Sequence, residues 1–425
     1  MELYYSFSVL IVLASVFAYI NYRLLKLPST IGIMVIAIIV SVILVMFGEN
    51  MFPKTTQHLH TLIGSFDFTE VLMGAMLNFL LFAGGIHVNI KDLREQFGPV
   101  LIFATVGVII STFAVGFGTY YLLPLVGINI PFLYCLVFGA LISPTDPVAV
   151  LSILKKANVK KSLETKVAGE SLFNDGMAVV VFAVILQLAV GKEVDLTAEH
   201  IFMLLLQEAG GGLLLGVILG FTASRAMREV DDYILSVLVT LSVVMGGYLI
   251  ARSLHFSGPL TMVAAGLFMG NFNIKFKMKS ETQDYLVKFW ELIDEIMNAV
   301  LFLFIGFELL LIKDLNDYLV AGGICIMIVL LSRWVSIFFP SKIISRKYRF
   351  TPQTIKVLVW GGIRGGVSIA LALSIPQNEY SEVIISITYC VVVFSIVVQG
   401  LTIEKVANPR KIATEEEVME ENPAA

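Results

Sequence analysis

The chain has 425 residues, of which 57% are hydrophobic and 15% charged, with a net charge of −4. Soluble domains carry about a quarter charged residues, so this composition, with a mean hydropathy of +0.88, excludes an ordinary soluble domain. Cys135, Cys325 and Cys390 all fall in apolar stretches, which excludes a disulfide framework or a zinc cluster.

A membrane span needs about 20 mostly apolar residues, and such stretches recur along the chain with basic connections at every second junction. Spans near 4–20 and 29–47 are joined by Arg23 and Lys26. The third and fourth, near 68–88 and 98–123, flank Lys91 and Arg94. The fifth and sixth, near 131–154 and 167–190, are separated by Lys155, Lys156, Lys160, Lys161 and Lys166. Arg225 and Arg228 join the seventh and eighth, near 200–224 and 233–251. Lys275, Lys277 and Lys279 join the ninth and tenth, near 257–274 and 289–311. The eleventh and twelfth, near 318–340 and 354–374, flank Lys342, Arg346, Lys347, Arg349 and Lys356. Lys405, Arg410 and Lys411 follow the thirteenth, near 382–403. These connections hold 22 of the 29 Lys and Arg residues, against Lys54, Lys192, Arg252 and Lys313 in the others. Cytoplasmic loops collect Lys and Arg, so thirteen spans with the N-terminus outside and the C-terminus inside are expected.

Glu2 stands where a cleaved leader has a basic region, so the first span is expected to be retained. Residues 404–425 read as a short acidic cytoplasmic tail with Glu415, Glu416, Glu417, Glu420 and Glu421. The net charge singles out no partner beyond the lipid bilayer, and no nucleic acid is expected.

The predicted fold is therefore an all-α polytopic membrane protein. Six spans, one linking span and six more give two halves of opposite orientation, an inverted repeat in which interrupted helices mark the binding site. Span 5 contains Ser143-Pro144-Thr145-Asp146-Pro147, and span 12 contains Gly361-Gly362-Ile363-Arg364-Gly365-Gly366. Prolines remove backbone donors and glycines weaken helical order. Both spans are the fifth of their half, and a crossed pair of broken helices is expected there. The opposed charges of Asp146 and Arg364 balance the half-helix ends that meet. Ordinary kinks are the bland alternative, but they do not require a charge at each centre.

A charge at mid-membrane costs roughly 2.5–3.5 kcal/mol, so it marks a pathway or a paired site. The richest group is Gly169-Glu170-Ser171-Leu172-Phe173-Asn174-Asp175-Gly176 in span 6. Ser171 and Asp175 share one helical face, and Glu170 and Asn174 share another. The first face offers a hydroxyl and a carboxylate, hard oxygen ligands for a small cation. The second offers Glu170 to a basic residue elsewhere, with Arg364 the expected partner in a structural ion pair. Arg333 lies inside span 11 without a partner that the sequence identifies. Asn298 in span 10 is a candidate support for the site, and Glu308 lies near the outer end of that span.

These stretches resemble the monovalent cation/proton antiporters of the NhaP/NHE type, the Na⁺/H⁺ exchangers. The likeness rests on Ser143 through Ala149, Gly169 through Gly176 and Gly361 through Ser368. Asn298 through Phe302 and Ile305 through Glu308 add to it. It covers essentially the whole chain, 1–403, and implies a core transport domain around spans 4–6 and 11–13. A dimerisation region from spans 1–3 and 7–10, a homodimer, and an inner cell membrane location are also implied. So is an ion site made of Asp175, Ser171, Asp146 and the carbonyl of Thr145, supported by Asn174. Glu170 and Arg364 are implied as a stabilising pair, and the Asn174-Asp175 sequence implies electroneutral exchange. No cofactor is implied beyond the transported Na⁺, K⁺ or Li⁺ and H⁺. The chain departs from some relatives in span 3, where Leu81-Phe82-Ala83-Gly84-Gly85 lacks an acidic residue at Ala83.

The expected mechanism is competition at one carboxylate. Burial disfavours the charged form of Asp175, and either a proton or a cation neutralises it. If the core moves only when Asp175 is neutral, exchange is obligatory. No phosphate-binding Gly-Lys-Ser/Thr loop appears, and no enzymatic Gly-x-Ser-x-Gly or His-Glu-x-x-His motif, so neither ATP drive nor an enzyme is expected. A proton-coupled transporter of another substrate is the main alternative. A cation channel is the lesser alternative, because filter loops and charge rings have no counterpart in the sequence.

Overall fold

The computed structural model describes residues 2–48, 71–148, 150–151, 154, 159, 161–191, 198–228, 232–275, 280–310, 315–344, 348 and 350–407. The acidic tail beyond residue 407 lies outside them. So do Lys54, Lys192, Lys313 and ten of the 22 basic connection residues: Lys155, Lys156, Lys160, Lys277, Lys279, Arg346, Lys347, Arg349, Arg410 and Lys411.

Every regular element among the described residues is helical. In chain order these are α1 (Glu2–Ile20), α2 (Ser29–Ile43), α3 (Leu77–His87), α4 (Ile90–Glu95), α5 (Phe97–Ile102), α6 (Val108–Leu122) and α7 (Phe132–Leu141). They continue with α8 (Lys161–Ala189), α9 (Ala198–Leu205), α10 (Gly211–Arg228), α11 (Tyr233–Ser253), α12 (Gly258–Lys275) and α13 (Ser280–Glu308). The last are α14 (Leu319–Ile344), α15 (Pro352–Trp360), α16 (Gly366–Leu373), α17 (Ser381–Phe394) and α18 (Gly400–Val406). Short π turns extend or join several of them, as between α5 and α6 and between α17 and α18.

Eight helical stretches among the described residues are long and apolar enough to cross a membrane. They are Phe7–Leu25, Ser29–Phe47, Phe97–Val126, Lys161–Ala189, Met203–Arg228, Tyr233–Ser253, Asp317–Ile344 and Ser381–Val406. The expected spans that fall short do so for visible reasons in three cases. Spans 5 and 12 are broken, leaving α7, α15 and α16 as short pieces. Span 10 is the long helix α13, but Glu291, Asp294 and Glu295 lower its hydropathy.

Small residues let the helices approach closely, as is usual where lipid supplies no hydrophobic drive between helices. A Cβ at Gly266 or Gly270 of α12 would overlap the backbone carbonyls of Phe82 and Ile86 on α3. α13 packs on α2 and α3: Trp290 is fully buried with its ring 4.6 Å from that of Phe82, and Ser41 donates to the carbonyl of Gly306 at 2.9 Å.

The two interruptions meet deep in the structure. α7 ends at Leu141, residues 143–147 are non-helical, and helical backbone resumes at Val148. Asp146 Oδ1 accepts from the Val148 amide at 2.9 Å, supplying an acceptor where Pro144 and Pro147 break the ladder. The second break runs from Gly361 to Gly365 between α15 and α16. Its freed backbone groups are satisfied from the π turn before α18. The Arg364 amide donates to Ser395 Oγ at 2.8 Å, and Gln399 Nε2 donates to the carbonyl of Trp360 at 3.0 Å. Non-helical backbone at this depth survives because protein groups replace water.

Candidate ion-binding site

The breaks are tied directly to each other. The amide of Asp146 donates to the carbonyl of Ile363 at 2.7 Å. Arg364 Nη1 donates to the carbonyls of Ser143 and Pro144, the latter at 3.0 Å. One guanidinium thus satisfies two carbonyls that the first break leaves free. Gly365 closes the crossing, because a Cβ there would lie 2.6 Å from Asp146 Oδ2. Gly365→Ala is expected to push the Asp146 carboxylate aside and slow ion exchange on the order of tenfold, with the protein still folded, since sub-ångström misplacement at a site is costly. Exchange rates and size-exclusion profiles of the variant check this.

α8 passes beside the first break and buttresses it. Asn174 Nδ2 donates to Thr145 Oγ1 at 2.8 Å, and the Thr145 amide approaches Asn174 Oδ1 at 3.4 Å. Thr145 Oγ1 and Ser171 Oγ share a hydrogen bond of 2.9 Å. Asp175 follows one turn after Ser171, is 8% exposed, and its Oδ1 is buried without a hydrogen-bond partner. It lies within electrostatic range of Asp146, Glu170 and Arg364. A buried carboxylate oxygen with no donor is expensive unless a proton or cation meets it.

Thr145, Asp146 and Asp175 line a cavity of about 960 Å³, together with Asn298 and Gly365. Ser171 and Asn174 do not line it; they stand behind the lining and hold Thr145. The expected ion ligands are therefore brought together, with the two carboxylates and Thr145 facing the open space.

The expected Glu170–Arg364 ion pair is corrected by the geometry. Glu170, 1% exposed, pairs instead with Arg333 of α14 through both carboxylate oxygens, with Nη2 to Oε2 at 3.0 Å. Arg333 also donates through Nε and Nη2 to the carbonyl of Leu358 at 3.3 and 3.0 Å. A planar fork that matches a carboxylate edge makes arginine suited to such a contact. Arg364 is close enough to act on Glu170 electrostatically, but its Nη1 donates to the carbonyls of the first break and its Nε is buried without a partner. A side chain at Gly362 would collide with the Arg333 guanidinium.

Sequence reasoning misses Glu291, Asp294 and Glu295, which line the same cavity from α13. The signal was present: they share a helical face with Asn298 at separations of three, four and seven residues. Ala83 is fully buried, and its neighbour Gly84 forms the cavity wall instead.

Comparison with known proteins places this architecture. The chain is 46% identical to the Na⁺/H⁺ antiporter NhaP of Pseudomonas aeruginosa over 401 residues, covering 92% of this chain and 93% of the relative. It is 34% identical to the Na⁺/H⁺ antiporter NhaH of Halobacillus aidingensis, covering 90% and 92%. The fold matches that of the sodium proton antiporter MjNhaP1 from Methanocaldococcus jannaschii with a TM-score of 0.75 at 20% identity, over 96% of this chain and 99% of the other. Residues 11–408 match the transmembrane sodium/hydrogen exchanger family, and the chain, with its paired breaks and buried carboxylates, belongs to that family.

Proposed function

We propose that the protein exchanges a monovalent cation, Na⁺ with K⁺ or Li⁺ as alternatives, for protons across the membrane, with both competing for Asp175. The carrying observation is the Asp175 carboxylate, buried with one oxygen unpaired at the wall of a cavity it shares with Asp146 and Thr145. A cation held there takes hard oxygen ligands from Asp175, Asp146 and Thr145, and a proton on Asp175 removes the charge that attracts it. Neutralisation by either one permits the site to alternate between the two faces, giving obligatory exchange, and a single carboxylate shared in this way favours electroneutral stoichiometry. The names of the relatives support the same reading.

The cavity is also lined by His87, Asn89, Asp92, Lys161 and Glu164, at the helix ends next to basic connections. By the charge rule that end faces the cytoplasm, so the conformation is inward-facing with the N-terminus outside. Thirteen spans in two inverted halves, a core around spans 4–6 and 11–13, and a homodimer through the remaining spans complete the proposal.

The test is proton flux in proteoliposomes carrying a pH dye, with Na⁺, K⁺ and Li⁺ offered in turn and the membrane potential clamped. Cation-dependent flux that is insensitive to the clamped potential is expected. Large conductance without proton coupling would overturn the reading in favour of a channel.

A further inference from the structure

One face of α13 lines the cavity with residues that step by three and four: Val287, Glu291, Asp294, Asn298 and Leu301. Such spacing keeps side chains in one row, and the next members of the row are Ile305 and Glu308. No residue of α13 beyond Leu301 lines the cavity. Leu301 packs onto the start of α16, where a Cβ at Gly366 would overlap its side chain. Past that contact Phe302, Leu303, Phe304, Ile305 and Phe307 are all buried. At 1.5 Å per residue, Glu308 sits about 10 Å beyond Leu301 on the outer side. The face that meets water on the inner side thus continues outwards as a sealed seam with an acid in it.

Glu308 is 3% exposed, and its Oε2 is buried with no hydrogen-bond partner. Tyr389 of α17 lies within electrostatic range, and its hydroxyl is also buried without a partner. Among the described residues Glu308 forms no ion pair. α1 meets this end of α13 with Phe17, and α2 meets it with Ala37 and Ser41, whose hydroxyl is already bound to the Gly306 carbonyl. The titratable groups next to Tyr389 are the thiols of Cys390 and, beyond it, Cys325 of α14. A carboxylate here would be a buried charge with nothing to compensate it, whereas a neutral acid is tolerated. Glu308 therefore carries a proton in this conformation.

We propose that Glu308 is a second proton-binding site, distinct from Asp175, which takes up and releases its proton on the outer side only. When the outer side opens, water reaches the seam between Glu308 and Tyr389 and the acid ionises. The seam closes again only after Glu308 has regained a proton from the outer solution. That proton never crosses the membrane, so the stoichiometry of exchange is unchanged. The inward-facing form holds one more outer-side proton than the outward-facing form, so raising the outer pH favours the outward-facing form. The site rests on the exchange reading above and adds a step that Asp175 does not perform.

The experiment is sodium-22 exchange by full-length protein reconstituted in one orientation, with equal and saturating Na⁺ on both faces. A cation then occupies Asp175 throughout, and no proton is needed there. Raising the pH at the outer face from about 7 to about 9 is expected to slow exchange at least tenfold, because one proton is worth about tenfold per pH unit. The same step at the inner face is expected to change the rate less than about twofold. Glu308→Gln, neutral at every pH, is expected to lose the outer-face dependence and to exchange faster than the unmodified protein at the alkaline end. An outer-face dependence in Glu308→Gln equal to that of the unmodified protein overturns the site. If Glu308→Gln does not fold, the unmodified protein decides. Slowing from the outer face alone upholds the site, and an equal response from both faces, or none, overturns it. Sodium-22 exchange by Asp175→Asn overturns the exchange site instead.

Discussion

Asp175→Asn is expected to reduce cation-driven proton flux by roughly 100-fold or more, because removing one partner of a buried charged contact costs about 2–5 kcal/mol. Asparagine keeps the size of the side chain and its fit on α8. It cannot take up a proton at the working pH, and it cannot neutralise a cation. Both halves of the exchange are therefore lost together, which separates this substitution from one that weakens only cation binding. The readout is the pH-dye assay, with size exclusion to show that the protein is folded. Flux at the normal rate would sink the shared-site mechanism. Asp175→Glu keeps the carboxylate but lengthens the side chain within a packed crossing, so partial activity with altered cation preference is expected.

The second large effect concerns stability. Arg333→Met is expected to destabilise the protein by about 3–5 kcal/mol, the usual cost of leaving one partner of a buried ion pair uncompensated. Glu170, 1% exposed, has its two carboxylate oxygens on Arg333. The substitution also strips the Leu358 carbonyl of two donors just before the second break. Thermal unfolding in detergent measures the loss. Adding Glu170→Gln should restore part of it, because the stranded charge is gone. A double-mutant cycle sharpens the test: strong coupling is expected between 170 and 333, and weaker coupling between 170 and 364. The reverse order would mean that Arg364 is the true partner.

Much of the candidate site is legible in the sequence. The proline pair around Asp146 and the glycine run around Arg364 announce two breaks, because both residue types disrupt a ladder that membrane burial otherwise enforces. The four-residue spacing of Ser171 and Asp175 places them on one face of α8, and the structure sets that face against Thr145. The partner of Glu170 was not legible. Helical periodicity gives the direction in which a side chain leaves its helix, but not which neighbour lies there. Two buried arginines were available, and backbone carbonyls exposed by the first break took one of them. Those carbonyls are invisible in a sequence pattern. The acidic stripe of α13 was missed for a different reason. Its carboxylates lie near the start of a span, where charges usually face water, and only the packing of α13 on α2 and α3 turns them into a cavity wall.

That stripe also bears on how the protein is made. An aspartate at the centre of an isolated helix costs about 2.5–3.5 kcal/mol during membrane insertion and less towards the ends, and α13 carries three acids within five residues near the start of its span. It is a poor candidate for entering lipid alone. Trp290 seated against Phe82, and Ser41 bound to the Gly306 carbonyl, give it partners on helices synthesised earlier. The same side chains that build the cavity wall thus favour insertion of α13 against α2 and α3 over insertion alone.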